Sequence, residues 1–458
     1  MKVETHRTKA ICRRVSSSAA DIERGVRQIL SDKVSGTMMG LWLLVPEYLR
    51  LGIWDLVRGW TGDGGGAAAP RLALQMVNEA ALCVTGVRQQ RCLSQKGFEV
   101  ANGLPFVATD TDIHLLLARH TVAESIALQA ALGKVRRASG HFSGALLAID
   151  PHRMLSTSRR QMARKSPKAS LPSTKLSQLF FCADADTMQP VCFTIASSSR
   201  QVSRATPEVL NLAADILPGP FAAKPLLLGD AEHFSVSLFN HVVRETHYDL
   251  LVPMPCQPYY RQFLRSIPPD AFVRQWIGYA TAAVPFTFGE KGAPPLWCFA
   301  QRSGESTDSF SYKGFICTSR RDELDALSSD FPKRWHVEEF FNLYQDLGWK
   351  KAGTLNLNIR YGRTTMALIA QAAIHQLRQH LPTACAQWNS SHLAQELFKG
   401  FEGDIRVSDD TVVVTFYNAP DADTLSAQYA GLPWRLQAEG IDPHIPWLYG
   451  LKLDFRFK

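Results

Sequence analysis

The spacing of apolar residues changes character twice along the chain. Up to about residue 140 it runs near 3.6 and predicts helices over Ala19–Leu30, Leu72–Arg91 and Ile113–Arg137. Thr121 with Glu124 forms a capping box for the helix that ends at Arg136 and Arg137, and Asp110 or Asp112 is placed to cap the helix before it. From Gly144 short apolar runs take over. Strands are expected at Ala145–Ile149, Leu179–Ala183 and Val191–Ile195, then a helix at Pro207–Ile216, a strand at Leu226–Leu228, a helix at Phe234–Val243 and a strand at Asp249–Val252. Residues 255–325 mix Pro, Trp, Ser and Gly with runs such as Trp297–Ala300 and Phe315–Thr318, and read as a β-rich insertion. Helical spacing returns at Arg334–Leu347 and Thr364–His380. The tail beyond Ser390 carries a strong strand, Thr411–Tyr417, and a weaker alternating one, Lys452–Phe457.

Three strands, a helix, a strand, a helix and a strand is the element order of an RNase H-like domain. The expected fold class is therefore α/β, an RNase H-like mixed sheet with a β-rich insertion, preceded by an all-α N-terminal domain. The expected divisions are 1–140 (helical), 141–254 (first part of the core), 255–325 (the insertion), 326–385 (the last core helices) and 386–458 (an α+β tail suited to dimerisation). The continuous apolar runs Leu146–Ile149 and Leu226–Leu228 suit central strands buried on both faces, which puts Asp150 and Asp230 at exposed strand ends.

A third carboxylate, Glu338, lies early in the helix expected after Arg334 and Trp335. Val337, Phe340, Phe341 and Tyr344 make the apolar stripe of that helix; Arg334, Glu338 and Gln345 line one shoulder, and Glu339 lies on the other side with Trp335 and Asn342. Hard divalent cations take carboxylate oxygens, and two Mg²⁺ ions roughly 3.5–4 Å apart both sharpen a water into a nucleophile and stabilise a leaving oxygen. Asp184 and Asp186 compete with Asp150, but the phrase that runs on to Pro190 reads as a hairpin turn, where Asp bonds the local backbone. His152 and His233 flank the acids and are expected to support them or to face solvent, because Mg²⁺ prefers oxygen.

Composition narrows the classes without choosing one. With 46% hydrophobic and 20% charged residues the chain reads as globular throughout, and a formal charge of +8 is compatible with a polyanion partner but not diagnostic of one. Nine scattered cysteines without a CxxC pair support neither a disulfide framework nor a zinc knuckle, and fit a reducing compartment. Met1–Arg14 is polar and basic with no apolar core, so no secretory signal is expected. Met38–Trp54, the most apolar stretch, is broken by Pro46, Glu47 and Arg50 and reads as a buried core helix; no membrane association is expected. The glycines of Gly62–Pro70 form a loop with no GKS or GKT after it. Tandem short helices before residue 140 permit either a helix-turn-helix or an ordinary bundle. From Pro151 to Ala183 there are seven cations (Arg153, Arg159, Arg160, Arg164, Lys165, Lys168, Lys175) and no acid, a composition suited to holding phosphates.

The set Phe331, Arg334, Trp335, Val337, Glu338, Phe341 resembles the Y-x2-R-x3-E-x6-K element of bacterial insertion-sequence DDE transposases, the cut-and-paste group with a β-rich insertion before the Glu. The likeness extends upstream through the run ending at Asp150, the phrase from Asp186 to Ile195, and LLLGD ending at Asp230, and covers roughly residues 100–380. Phe331 stands where that family has Tyr, and Gln345 where it has Lys. The resemblance implies that Asp150, Asp230 and Glu338 bind two Mg²⁺ ions, with Mn²⁺ able to substitute, and that Arg334 contacts a phosphate near the cleaved end. It further implies a helical 1–140 domain that binds the inverted-repeat ends, a double-stranded DNA target, a homodimer in the synaptic complex, and a cytoplasmic, nucleoid-associated location. Trp297 is a candidate to stack on a base flipped from the DNA end. The sequence is also compatible with two other readings: a catalytically silent transposase-derived DNA-binding protein, and an RNase H-like nuclease or resolvase without strand transfer. Neutralising Arg153, Arg159 and Arg160 together should flatten the salt dependence of DNA binding by up to about three in the log–log slope; an unchanged slope in a filter-binding series removes this segment from the DNA contact.

Overall fold

Leu146, Leu147, Ala148 and Ile149 are all buried, as are Leu226, Leu227 and Leu228, because both runs become inner strands of a mixed sheet. The computed structural model describes residues 18–458 except 63, 65, 85–92, 94, 159–160, 162–163, 166–172, 220–222 and 291. The chain divides into two compact units, Gly140–Phe341 and a second made of Met1–Ser139 with Asn342–Lys458. The fold is mixed α/β.

In the unit of residues 140–341, Gln189–Ser197 pairs antiparallel with Thr174–Asp184, which pairs antiparallel with Leu146–Ser156. That strand runs parallel to Leu226–Leu228, and Leu226–Leu228 runs parallel to Asp249–Pro253. Helices Val202–Ile216 and Val236–Glu245 supply the two parallel crossovers. Beyond Asp249–Pro253 the same sheet continues antiparallel through Ser311–Cys317, Leu296–Ser303, Tyr279–Phe286 and Val273–Trp276. The helix starting at Val202 is longer than expected and carries Pro207 inside it; Val202 and Ala205 pack on Phe180 and hold the extra turn.

One expectation needs correcting. Asp150 does not close its strand, which continues to Ser156. The parallel neighbour pairs only with Leu146, Leu147 and Ala148, whereas Thr174–Asp184 stays in register as far as Leu155. The carbonyl of Ala145 accepts from the Leu226 amide and that of Leu146 from the Ala185 amide, so odd-numbered residues direct their backbone groups toward Leu226–Leu228. Pro151, which has no N–H to give, therefore faces the side on which that neighbour has already ended. Asp150 is a mid-strand residue at the end of the adjacent strand.

In the other unit, Ala19–Leu30 is helical, and Asp110–Arg119 and Val122–Ala138 are separate helices. Thr121 and Glu124 form the expected capping box; at the preceding helix the cap is Thr109, with Asp112 as its reciprocal partner. The apolar 38–54 stretch is buried as a 3₁₀ segment, Met39–Leu44, followed by the short helices Val45–Arg50 and Ile53–Thr61. The N-terminal portion is not purely helical: Val34–Gly36 forms the edge of a four-stranded sheet with Gly403–Ser408, Thr411–Phe416 and Lys452–Phe457. The ends of the chain are also joined by Arg50 with Glu439 (2.7 Å) and by the Trp447 indole N–H donating to the Ala101 carbonyl at 2.9 Å. Burial pushes the fully enclosed Glu47 up to about 7, although Arg50 lies 2.9 Å away. No helix among the described residues is long and apolar enough to cross a membrane.

Phe181 is fully buried against Phe193, Phe340 and Phe341. Truncating it to alanine should destabilise the protein by about 3–5 kcal/mol, read as a lower urea midpoint, while Tyr259→Ala at a 69% exposed position stays within about 0.5 kcal/mol.

Candidate active site

Asp150 and Phe181 are register partners, so their side chains leave the sheet on the same face. The Phe181 ring stands edge-on to Phe340 and Phe341, with centroids 5.8 and 5.2 Å away, and His152 stacks on Phe341 at 4.0 Å. These rings lay the start of the helix His336–Tyr344 over the Asp150 face and bring Glu338 with it. The stretch 334–347, expected as one helix, is three segments: a 3₁₀ turn Phe331–Trp335, the α-helix and a 3₁₀ turn Gln345–Leu347. Pro332 in the first of these has no N–H to donate and suits the opening of a turn. Arg334, 9% exposed, leaves that turn and donates from Nη1 to Asp150 Oδ1 and from Nη2 to Glu338 Oε1, each at 3.3 Å.

Asp230 follows the short strand Leu226–Leu228 and caps the 3₁₀ turn Ala231–His233. Its Oδ1 accepts from the Glu232 amide at 2.9 Å and lies 2.7 Å from His233 Nδ1. His233 is buried and folds back over Gly229, where an added Cβ would meet the His233 ring at 2.9 Å and Val252 at 3.0 Å. Only glycine leaves room for the imidazole that orients Asp230. Sequence reasoning missed Gly229; the available signal was a glycine between a buried strand and an acid.

The electrostatics tie the pieces together. Burial pushes the Asp150 carboxyl up to about 6, and the negative charge of Asp230 pushes the same way, against opposition from Arg334 and His233. Burial would also raise Asp230, but the hydrogen bond and charge of His233, the Glu232 amide and Arg334 together hold it below its ordinary value. The two acids thus sense each other and share Arg334.

The other expected residues are placed differently. Asp184 is fully buried and accepts from the amides of Gly144 (2.7 Å), Thr187 (2.9 Å) and Asp186 (3.1 Å), the work of a turn carboxylate; Asp186 pairs with Lys333 at 2.7 Å. Arg153 is held by Glu232 at 2.6 Å, next to the Asp230 turn. Arg159 and Arg160 lie outside the described residues. Trp297 is in the antiparallel part of the sheet, with the Arg320 guanidinium 5.1 Å from its ring centroid. The register row Ala148, Leu228, Leu251, Cys317, Trp297 puts it on the Asp150 face, four strand spacings or about 19 Å away.

The donor set suits a hard divalent cation: carboxylate oxygens, two of which already hold a guanidinium and one of which is held high by burial and by its neighbour's charge. As the side chains stand, no group of three His, Cys, Asp or Glu among the described residues is gathered tightly enough to hold a metal ion.

No known family model matches the chain, and no curated protein matches it in sequence. Among solved structures, a piggyBac transposase synaptic complex with hairpin DNA aligns over 80% of this chain and 82% of that one, at 10% identity and a TM-score of 0.41. A likeness that loose carries no functional conclusion.

Because the folded-state pKa of Asp150 is raised, its contribution to stability is fully present below its ordinary value of 3.8 and is lost as pH rises through about 6. Asp150→Asn should therefore be more stable than the native chain at pH 7.5, by about 1–3 kcal/mol, with no advantage at pH 3.5. Equal melting temperatures at both pH values would show that the Asp150 charge is not strained.

Proposed function

We propose that the chain is a DDE-type DNA transposase that binds the terminal inverted repeats of a mobile element, hydrolyses a phosphodiester there, and transfers the freed 3′-hydroxyl to target DNA. The observation that carries this is the convergence on Arg334 of Asp150, 184 residues away in sequence, and Glu338, with Asp230 close enough to shift the Asp150 carboxyl. The strand arrangement supports an RNase H-like reading: three antiparallel strands, then two parallel ones reached through helices, with the acids where the short parallel strand ends. Its β-rich insertion would be the antiparallel extension of the sheet from Val273 to Cys317.

Asp150, Asp230 and Glu338 would hold two Mg²⁺ ions, or Mn²⁺ in their place. When bound, such a pair activates water and stabilises the leaving oxygen. His233 fixes the rotamer of Asp230, and the Phe340 and Phe341 rings fix the approach of Glu338. Arg334 would exchange its carboxylates for a DNA phosphate, Trp297 would stack on an exposed base, and Arg153 would reach the backbone on leaving Glu232, a role for which the sequence also offers Arg159 and Arg160. The helices before residue 140 would grip the DNA ends, and reaction at two ends calls for a symmetric dimer. A cytoplasmic, nucleoid-associated location fits this reading.

Metal-dependent nicking of supercoiled plasmid tests it. Asp150→Asn, Asp230→Asn and Glu338→Gln should each lose about 100-fold or more of the nicking rate while shifting DNA on a gel as the native chain does. Robust nicking by any one variant removes that residue from the site, and nicking without joined products favours a nuclease.

A further inference from the structure

Arg334 lies where a positive charge is wanted. Its guanidinium spans Asp150 Oδ1 and Glu338 Oε1, both at 3.3 Å, and its side chain is 11% exposed. These are long contacts for charge-assisted bonds, which usually close to about 2.7–2.9 Å, so the bridge joins the two acids without gripping either. The guanidinium carbon is also 5.1 Å from the centroid of Trp335, a residue that is 56% exposed. Trp335 offers a second resting place, because an arginine over an indole face keeps a favourable contact while its carboxylates are taken by something else. The neighbouring cation does not compete: Lys333 is engaged with Asp186 at 2.7 Å.

We propose that Arg334 is an internal counter-ion that latches the carboxylate site shut, so that divalent cations load fully only when a DNA phosphate draws the guanidinium off Asp150 and Glu338. This rests on the carboxylates being the metal ligands, as proposed above, and adds a regulation of that site. A guanidinium bridging two carboxylates and a dication on the same carboxylates repel each other, so the metal and the latch exclude each other. A phosphate reverses the balance by giving Arg334 an anion of its own. Metal and DNA then bind with positive coupling, which linkage makes reciprocal. The latch keeps the free enzyme from carrying a loaded, hydrolytically competent site in the absence of DNA.

The test is Mn²⁺ binding to the full chain by titration calorimetry, with and without a short DNA duplex, for native protein, Arg334→Gln, Arg334→Lys and Asp150→Asn. Without DNA, Arg334→Gln should bind Mn²⁺ about 5–150-fold tighter than native. Arg334→Lys, which keeps the charge but cannot bridge both acids, should fall between. Duplex DNA should tighten Mn²⁺ binding to the native chain and leave Arg334→Gln unchanged. Mn²⁺ should also change the tryptophan emission of the native chain, and that change should vanish in Trp335→Phe. If neither Arg334 variant binds tighter than native while Asp150→Asn loses binding, the latch is wrong and the metal site stands. If Asp150→Asn binds Mn²⁺ as well as native, the carboxylates are not the ligands and the functional reading fails with it.

Discussion

The Arg334 guanidinium between Asp150 and Glu338 is the contact on which the candidate site depends. Acids in a partly desolvated corner repel one another, and without a cation they would splay apart or take up protons. Burial, with the charge of Asp230 adding to it, keeps the Asp150 carboxyl high even with Arg334 beside it. The cation here is an arginine, whose planar fork reaches two carboxylates at once.

Two backbone decisions make that contact possible. Leu226–Leu228 is only three residues long, so its pairing with Leu146–Ser156 ends at Ala148, just before Asp150 and Pro151. On the other side the antiparallel pairing persists, which keeps Asp150 rigid on a strand and opposite Phe181. The buried Phe181, Phe340 and Phe341 rings then pack on the face that Asp150 shares, and helix placement becomes a packing problem solved by rings. At Asp230 the solution is polar: Gly229 leaves room for His233, and His233 holds the carboxylate from below.

The other unit is stabilised by joining distant parts of the chain. A three-residue edge strand near the N-terminus completes a sheet built from C-terminal strands, and Glu47, Arg50 and Glu439 form a charge cluster across the same span. Glu47 is fully enclosed, and its raised carboxyl reports a desolvation that Arg50 only partly offsets. The tail that begins near residue 386 thus belongs to the same unit as the N-terminal helices.

Local pattern alone located the central strands of residues 140–341 and several of the longer helices. The period-3.6 run at Ala19–Leu30, the capping box at Thr121 and Glu124, and the apolar runs of the central strands are properties of neighbouring residues, and each is found where the spacing put it. The placement of Arg334 one helical turn before Glu338 was legible for the same reason. Only the tertiary structure decided what depended on partners far along the chain. Strand Leu146–Ser156 runs past its polar residues because Thr174–Asp184 stays beside it. Val34–Gly36 is a strand because Gly403–Ser408 exists. Asp184 is a turn staple and His233 a buried support because Gly144 and Gly229 let them be. A polar residue's fate is set by what folds against it, and hydrophobic periodicity records only which side of an element faces inward.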